Sequence, residues 1–297
     1  MQRHNASRDE KKTHVYQKKV TFVCNMTDMV ALSFDTEEFD VPREHGVEWD
    51  TLKEGMEVSA YGTNRILDCL KECGVKGTFF CTTNFAQNAP DVMRRIIDEG
   101  HEVAAHGCDH WEPKPTDLAD SKRILEQLTG LTIKGYRQPR MFPLSIPELK
   151  RNGYVYNASL NPCFIPGRYM HLSTPRTCFI EDGIIQIPAS VSPVLRLPMF
   201  WLALHNFPMW YYRKLARRIL RHDGYFNTYF HPWEFYPLGE HPEFKMPFII
   251  RHNAGEGMYS RLREVILDLK GRGAEFVTYS VLADAYAANK ISKQLIL

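Results

Sequence analysis

Two histidines four residues apart, His106 and His110, have a spacing that could hold a metal ion. They enclose Gly-Cys-Asp, and on one helical turn, or in a tight loop opened by Gly107, both imidazoles can reach a common ion. A catalytic site of the two-histidine, one-carboxylate type needs an acidic third ligand and leaves a position open for water. The pair therefore predicts a metal-dependent hydrolase if a carboxylate lies nearby.

The acidic run Asp35-Thr36-Glu37-Glu38 can supply that carboxylate. In an extended segment, residues two apart face the same side, so Asp35 and Glu37 can both point into one site. One of them can bind the metal while the other stays free as a base. Glu38 remains open as an alternative ligand.

Short apolar runs typical of buried strands position these residues. Asp35 follows the run 30–34, His106 ends 101–106, Arg137 ends 133–137 and His231 follows 225–230. In parallel α/β folds, the loops at the carboxyl ends of the strands build the active site. We therefore expect these four residues to converge.

Strands and helices alternate through most of the chain. Further strands are predicted at 77–83, 154–160, 183–189 and 275–279, whereas 161–205 is proline-rich and otherwise irregular. The pattern favours one α/β domain, residues 29–297, with a mostly parallel sheet that is open or closed into a barrel. Residues 1–28 are predicted to be a flexible N-terminal tail.

Composition excludes several classes of partner. Lys+Arg number 37 and Asp+Glu 35, which leaves a net charge of +2 and no electrostatic footprint for nucleic acid or a membrane surface. No apolar stretch is long enough for a transmembrane segment, and no signal peptide is apparent, so the expected location is cytoplasmic. The seven cysteines are odd in number and lack a Cys-x-x-Cys pair, which favours reduced thiols.

Five segments in this order and spacing resemble the polysaccharide deacetylases, the NodB-homology domains of carbohydrate esterase family 4. The segments are SFDTEEF, GTFFCTT, GHEVAAHGCDH, GYRQP and YFHPWEF. The resemblance covers about residues 29–290 and implies a distorted (β/α) barrel of about seven parallel strands. It also implies a divalent metal, expected to be zinc, with His106 and His110 among its ligands.

By the same resemblance, Asp35 matches the catalytic base, Arg137 the arginine that holds it, and His231 the catalytic acid. A bound metal would lower the pKa of its water to about 7 and polarise the acyl oxygen. Arg137 would keep Asp35 ionised through paired hydrogen bonds. His231 would protonate the leaving amine or alcohol.

The sequence departs from the common family pattern at two positions. Thr36 replaces the second of two adjacent aspartates, which makes Glu37 the expected ligand, as in the Asp-x-Glu branch of the family. Asn157 stands where members often have an aspartate, so His231 is expected to have another partner, with Asp40 and Glu234 as unranked candidates.

The predicted function is the removal of N- or O-acetyl groups from a carbohydrate, an acetylated glycan or a glycan precursor. Trp233 and Tyr136 are candidate substrate contacts, because aromatic rings can stack on a sugar face. Two alternatives stay open. One is an allantoinase-like hydrolase of a small cyclic amide or imide, and the other is a non-catalytic glycan-binding module.

Overall fold

The computed structural model describes residues 28–165, 169–170 and 172–294. The predicted tail, residues 1–28, lies outside the described residues apart from Asp28. The strands in chain order are β1 (Met29–Thr36), β2 (Thr78–Cys81), β3 (Glu102–Ala105), β4 (Gly135–Tyr136), β5 (Tyr156–Asn157), β6 (Phe164–Ile165), β7 (Tyr169–Met170), β8 (Phe179–Glu181), β9 (Ile184–Gln186), β10 (Tyr225–Phe230) and β11 (Glu275–Val277).

Nine of these strands form one curled sheet in the order β10–β1–β2–β3–β4–β5–β9–β8, with β11 also paired to β1. All of its pairings are parallel except that of β8 with β9. Strands β6 and β7 form a separate antiparallel hairpin.

Helices connect the strands and cover the outer face of the sheet. They are α1 (Val41–Glu44), α2 (Glu54–Cys73), α3 (Thr83–Asn88), α4 (Pro90–Asp98), α5 (Asp117–Thr129), α6 (Ile146–Arg151), α7 (Trp201–Asn206), α8 (Met209–Asp223), α9 (Phe248–Arg251), α10 (Glu256–Lys270) and α11 (Tyr279–Gln294). The longest, α2, buries Ile66, Leu67 and Leu70 and ends at Gly74, whose φ of +63° is the left-handed conformation that suits glycine. Four short 3₁₀ turns complete the part of the chain that the structure describes, and the one at Pro232–Phe235 follows β10.

Alternation along β1 places the candidate base on the inner face of the curled sheet. Val30, Leu32 and Phe34 pack into the large core that the helices share. Ala31 belongs instead to the inner cluster, with residues such as Phe80, Tyr156 and Tyr279. Because side chains two apart share a face, Ser33 and Asp35 continue the inner column toward the carboxyl end of the strand.

A seam separates the two edges of the sheet, β8 and β10, because in the part of the chain that the structure describes no backbone ladder joins them. Side chains bridge this seam. Ser190 N donates to Asn227 Oδ1 (2.6 Å), and Asn227 returns bonds from its backbone N to Ser190 Oγ (3.0 Å) and from Nδ2 to Pro188 O (3.0 Å). Hydrogen bonds that involve side chains thus link β10 to the segment that follows β9.

The predicted fold class, a distorted α/β barrel of mostly parallel strands, is confirmed. Eight strands run parallel instead of about seven, and the predicted strands at 133–137 and 154–160 shorten to two residues each. The segment 161–205, predicted to be irregular apart from one strand, also contains the β6–β7 hairpin, β8 and most of α7. None of the helices that the structure describes is both long and apolar enough to cross a bilayer.

Candidate metal and catalytic site

The predicted site residues converge at the carboxyl end of the barrel. Asp35 lies near the end of β1, Glu37 just beyond it, His106 after β3, and Arg137 and His231 after β4 and β10. A cavity of about 370 Å³ opens there, lined by residues that include Asp35, Glu37, His106, His110, His231 and Trp233. Asp35 and Glu37 both face this cavity, as their spacing of two predicts.

Glu37, His106 and His110 form a cluster that fits a metal ion. One ligand atom from each of the three lies within 4.8 Å of the others. Glu37 Oε2 is 2.9 Å from His106 Nε2 and 3.3 Å from His110 Nε2. Two imidazole nitrogens and one carboxylate oxygen are the donor set of a catalytic zinc site that keeps a position open.

Each histidine of the cluster is oriented by a hydrogen bond on its other nitrogen. His106 Nδ1 donates to the Arg137 carbonyl (2.8 Å), and His110 Nδ1 lies 2.8 Å from Asp40 Oδ2. Since a carbonyl can only accept, the proton of neutral His106 is on Nδ1 and the Nε2 lone pair faces Glu37. This arrangement is the usual outer support of metal-binding histidines.

A tight loop, not a helical turn, spaces the two histidines. Gly107 has φ of +73°, and its carbonyl accepts from Thr83 N (3.2 Å). A Cβ at Gly107 would approach Pro139 Cγ to 3.1 Å, so both the conformation and the space favour glycine.

The electrostatics of the cluster favour a cation. Burial, together with the charges of Asp35 and Asp40, raises the pKa of Glu37 well above its ordinary value. Burial lowers the pKa of His106. At His110 burial acts in the same direction, but the charges of Glu37 and Asp40 outweigh it and raise the pKa. Several carboxylates in one buried site are stabilised by positive charge.

The contacts of Glu38 separate it from the cluster. Its Oε2 accepts from Thr82 Oγ1 (2.8 Å), and its Oε1 accepts from Asn84 Nδ2 (3.1 Å) and from His110 N (3.0 Å). Both oxygens are therefore occupied in holding the histidine loop against α3. Of the two ligands left open by the sequence, the geometry favours Glu37.

Asp35 and Arg137 form a buried ion pair. Arg137 Nη1 donates to Asp35 Oδ1, while Nη2 donates to Ser33 Oγ (3.0 Å) and lies 3.3 Å from Tyr279 OH. Paired hydrogen bonds to Asp35 were expected, but a single one is present because the other end of the guanidinium is taken by Ser33. Burial would raise the pKa of Asp35, but the charge and hydrogen bond of Arg137, together with the charges of His106 and His231, outweigh it, and the pKa lies below its ordinary value.

His231 stands across the cavity from Asp35, with 3.9 Å between Nε2 and Asp35 Oδ2. Its Nδ1 lies 2.9 Å from Glu234 Oε1, and its backbone N donates to the same oxygen (2.6 Å). Glu234 is therefore the partner of His231, whereas Asp40 supports His110. Asn157 takes no part, because it bonds to Gln186 and Ser159.

The two predicted substrate contacts differ in position. Trp233 lines the cavity and stacks on the His231 ring, with centroids 5.0 Å apart and planes at 18°. Tyr136 is fully buried in the main core, where its ring packs against Tyr154 and its OH donates to Gln138. The predicted substrate contact of Tyr136 is therefore wrong.

The structure also supplies residues that the sequence did not indicate. Ser33 and Tyr279 hold Arg137 from below, and Trp201 of α7 packs edge-on against His231 and lines the cavity. Ile249 and Ile250 form an apolar rim. Ser33 could have been found from the alternation of β1, but α7 lies in the segment predicted to be irregular.

The fold and the site define a curled (β/α) barrel with a two-histidine, one-carboxylate cluster beside a buried acid–arginine pair. Residues 24–143 match the polysaccharide deacetylase family. The family resemblance predicted from the sequence is thereby confirmed, and the matched region contains Asp35, Glu37, His106, His110 and Arg137.

Similar proteins agree with this assignment. A peptidoglycan deacetylase of Helicobacter pylori is 28% identical over 120 residues, 37% of this chain and 41% of that protein. The peptidoglycan deacetylase-like protein FGM2 of Gibberella zeae is 25% identical over 273 residues, 80% of this chain and 78% of that protein. The structure of a putative polysaccharide deacetylase from Mycobacterium smegmatis superposes with a TM-score of 0.62 at 21% identity, covering 88% of this chain and 91% of that one, which shows a shared fold.

Proposed function

We propose that this protein is a metal-dependent hydrolase that removes N-acetyl or O-acetyl groups from an acetylated glycan or glycan precursor. The observation that carries the proposal is the convergence of the Glu37–His106–His110 cluster with Asp35 and His231 on one cavity. Deacetylases among the similar proteins support the substrate class. The cytoplasmic location stays a prediction from the sequence.

The residues of the cluster fit a divalent cation, and zinc is the metal we propose. The Nδ1 bonds leave both Nε2 atoms free to act as ligands, and Glu37 faces them with one oxygen. A divalent cation bound there supplies Lewis acidity, which acidifies a water molecule and polarises the acyl carbonyl.

Asp35 is the proposed general base. The charge of Arg137 keeps its pKa low, so the carboxylate is ionised at neutral pH and can accept a proton from the attacking water. Oδ1 is held by Arg137, which leaves Oδ2 directed toward the cavity and His231. The proton therefore has one defined acceptor atom.

His231 is the proposed general acid. Glu234 holds its Nδ1, so the ring presents Nε2 to the cavity, where the leaving nitrogen or oxygen must take up a proton. The Nε2 atom is 3.9 Å from Asp35 Oδ2, so acid and base face the same part of the cavity. Trp233 and Trp201 fix the ring by stacking and edge contact.

The cavity suits a sugar bearing a small acyl group. Its polar wall carries the reacting groups, and its apolar wall includes Trp233, Trp201 and Ile249. Trp233 is largely buried by its neighbours, so we propose that it offers only the exposed edge of its ring to the substrate.

The test is acetate release by the zinc-loaded protein from chitooligosaccharides and from peptidoglycan, before and after chelation. We expect release that chelation abolishes and zinc restores. Asp35→Asn and His231→Gln should each lower kcat by at least about 100-fold while zinc stays bound. His222→Gln is the matched control, because His222 is exposed and lies on α8.

Two outcomes would replace the proposal. Ring opening of allantoin without acetate release would identify the cyclic amide hydrolase. Glycan binding that is unchanged in Asp35→Asn, with no turnover by the zinc-loaded wild type, would identify a non-catalytic binding module.

A further inference from the structure

A third histidine lies behind the His231–Glu234 pair. His205 of α7 and Glu234 are both fully buried, and His205 Nε2 is 3.4 Å from Glu234 Oε2. Among the residues that the structure describes, neither of these two atoms has a hydrogen-bond partner. Buried polar atoms are rarely left unsatisfied, so the contact between them needs an explanation.

The protonation of His205 follows from its other nitrogen. Nδ1 lies 2.7 Å from the carbonyl oxygen of His252, which can only accept a hydrogen bond. The proton of the neutral ring is therefore on Nδ1, and Nε2 presents a lone pair to Glu234. Burial lowers the pKa of His205 to about 4, which keeps the ring neutral at physiological pH.

Glu234 uses its two oxygens differently. Oε1 accepts from the backbone N and from Nδ1 of His231, whereas Oε2 faces the His205 lone pair. Two lone pairs at 3.4 Å in a dry site repel, but a proton on Oε2 converts the contact into a long hydrogen bond. Burial raises the pKa of Glu234 to about 7, which favours that proton.

The remaining charged and titratable neighbours do not supply another partner for Oε2. Asp35 faces Glu234 from β1, and its negative charge raises the pKa of Glu234 further. Tyr212 of α8 donates its OH to Met199 O (2.8 Å). Arg261 of α10 donates to the carbonyls of Leu204 and Phe207.

We propose that Glu234 is held as a neutral carboxylic acid whose Oε2 proton is donated to His205 Nε2, which makes His205 a positioning residue for His231. The inference rests on the proposed function, since it assigns His231 the role of acid. The neutral group accepts from Nδ1 of His231 through Oε1 and so fixes the ring. A negatively charged Glu234 would instead hold the proton on His231 and weaken it as an acid.

Rescue by an amide tests the charge of Glu234. Glutamine reproduces the neutral acid, since its oxygen can accept from His231 and its amide can donate to His205. We expect Glu234→Leu to lower kcat by about 100-fold and Glu234→Gln to recover at least about ten-fold of that loss. If Glu234→Gln is folded and zinc-loaded but as inactive as Glu234→Leu, a carboxylate is required at this position. That result would overturn the inference.

Infrared spectroscopy gives a readout that does not depend on turnover. At pH 7 the zinc-loaded wild type should show the carbonyl band of a protonated carboxylic acid, which Glu234→Gln removes. Glu243→Gln is the matched control and keeps the band, because Glu243 is an exposed carboxylate paired with His241. A wild-type spectrum without the band would refute a neutral Glu234.

A measurement on the wild type alone covers the case in which the variants do not fold. In ¹⁵N NMR of histidine-labelled, zinc-loaded protein, one ring besides the zinc-bound His106 and His110 should stay neutral, with its proton on Nδ1, when the pH is lowered to 5. If no such further ring is present at pH 5, His205 is not the proposed acceptor. A protein without hydrolase activity would contradict the proposed function and leave both spectroscopic results to decide this inference.

Discussion

Removal of Arg137 tests whether the buried ion pair keeps Asp35 charged. Both side chains are almost fully buried, with 2% and 4% of their surfaces exposed. Arg137→Met keeps much of the apolar volume over the Phe80 ring, where the guanidinium lies 4.1 Å from the centroid, but leaves the carboxylate without its cation. Breaking a buried pair in this way costs about 3–5 kcal/mol of unfolding free energy.

The double variant separates loss of the pair from loss of packing. Asp35→Asn leaves the buried Arg137 without its counter-charge but keeps an oxygen that accepts from it, so we expect a somewhat smaller cost of about 3 kcal/mol. Arg137→Met combined with Asp35→Asn contains no uncompensated charge, so it should be at least about 2 kcal/mol more stable than the sum of the two single changes implies.

Urea denaturation at pH 7, with a chelator present for all four proteins, measures these free energies without a contribution from metal. Additivity of the two single variants within about 0.5 kcal/mol would refute the reasoning, because it would mean that Asp35 and Arg137 do not interact. The pH dependence gives a second check. The pKa of folded Asp35 is lowered, so its stabilisation is present above about pH 4, the pKa of an unfolded aspartate, and is lost as the pH falls through the folded value.

Three further predictions concern the ligands and the buried acid. Glu37→Gln should abolish zinc binding, whereas Glu38→Gln should keep zinc and lower the melting temperature. Metal analysis measures the zinc content, and calorimetry measures the melting temperature. Equal zinc contents in the two variants would contradict the assignment of Glu37 as the ligand. Asp40→Asn should weaken zinc binding by about 10–100-fold in competition with a chelator, because it loosens His110; unchanged affinity would exclude this support. The pKa of Glu234 is raised from 4.5 to about 7. The stabilisation of the folded protein by the neutral Glu234 is therefore complete below pH 4.5 and is lost as the pH rises through 7. The expected loss is about 3 kcal/mol at about 1.4 kcal/mol per pH unit, and urea denaturation from pH 5 to 9 should show it in the wild type and not in Glu234→Gln.

The sequence predicted the convergence of the site because each key residue stands at a strand end. Parallel strands bring their carboxyl ends to one edge, so Asp35, His106, Arg137 and His231 had to meet once the strands were recognised. The same alternation argument could have corrected Tyr136. Neighbours in a strand point to opposite faces, so Tyr136 and Arg137 cannot both face the site.

Other features depend on contacts that the local sequence does not encode. The choice between Glu37 and Glu38 depends on how the chain turns after β1. It also depends on Thr82 and Asn84, which lie at the start of α3 and bind the Glu38 carboxylate. The partner of His231 is local, three residues ahead, but only the 3₁₀ turn at Pro232–Phe235 brings Glu234 back to it. The contact with His205 joins residues far apart in sequence and lies in a region without a clear periodic pattern.

The seam between β8 and β10 makes the two sides of the curled sheet unequal in how they are held together. The reacting groups stand on β10, β1, β3 and β4, which backbone ladders join into one continuous wall. In the part of the chain that the structure describes, the opposite junction has no backbone ladder and is bridged by hydrogen bonds between Asn227 of β10 and Ser190, which follows β9. Separating the sheet edges β8 and β10 would therefore break hydrogen bonds that involve side chains, whereas separating the reacting groups would break paired strands.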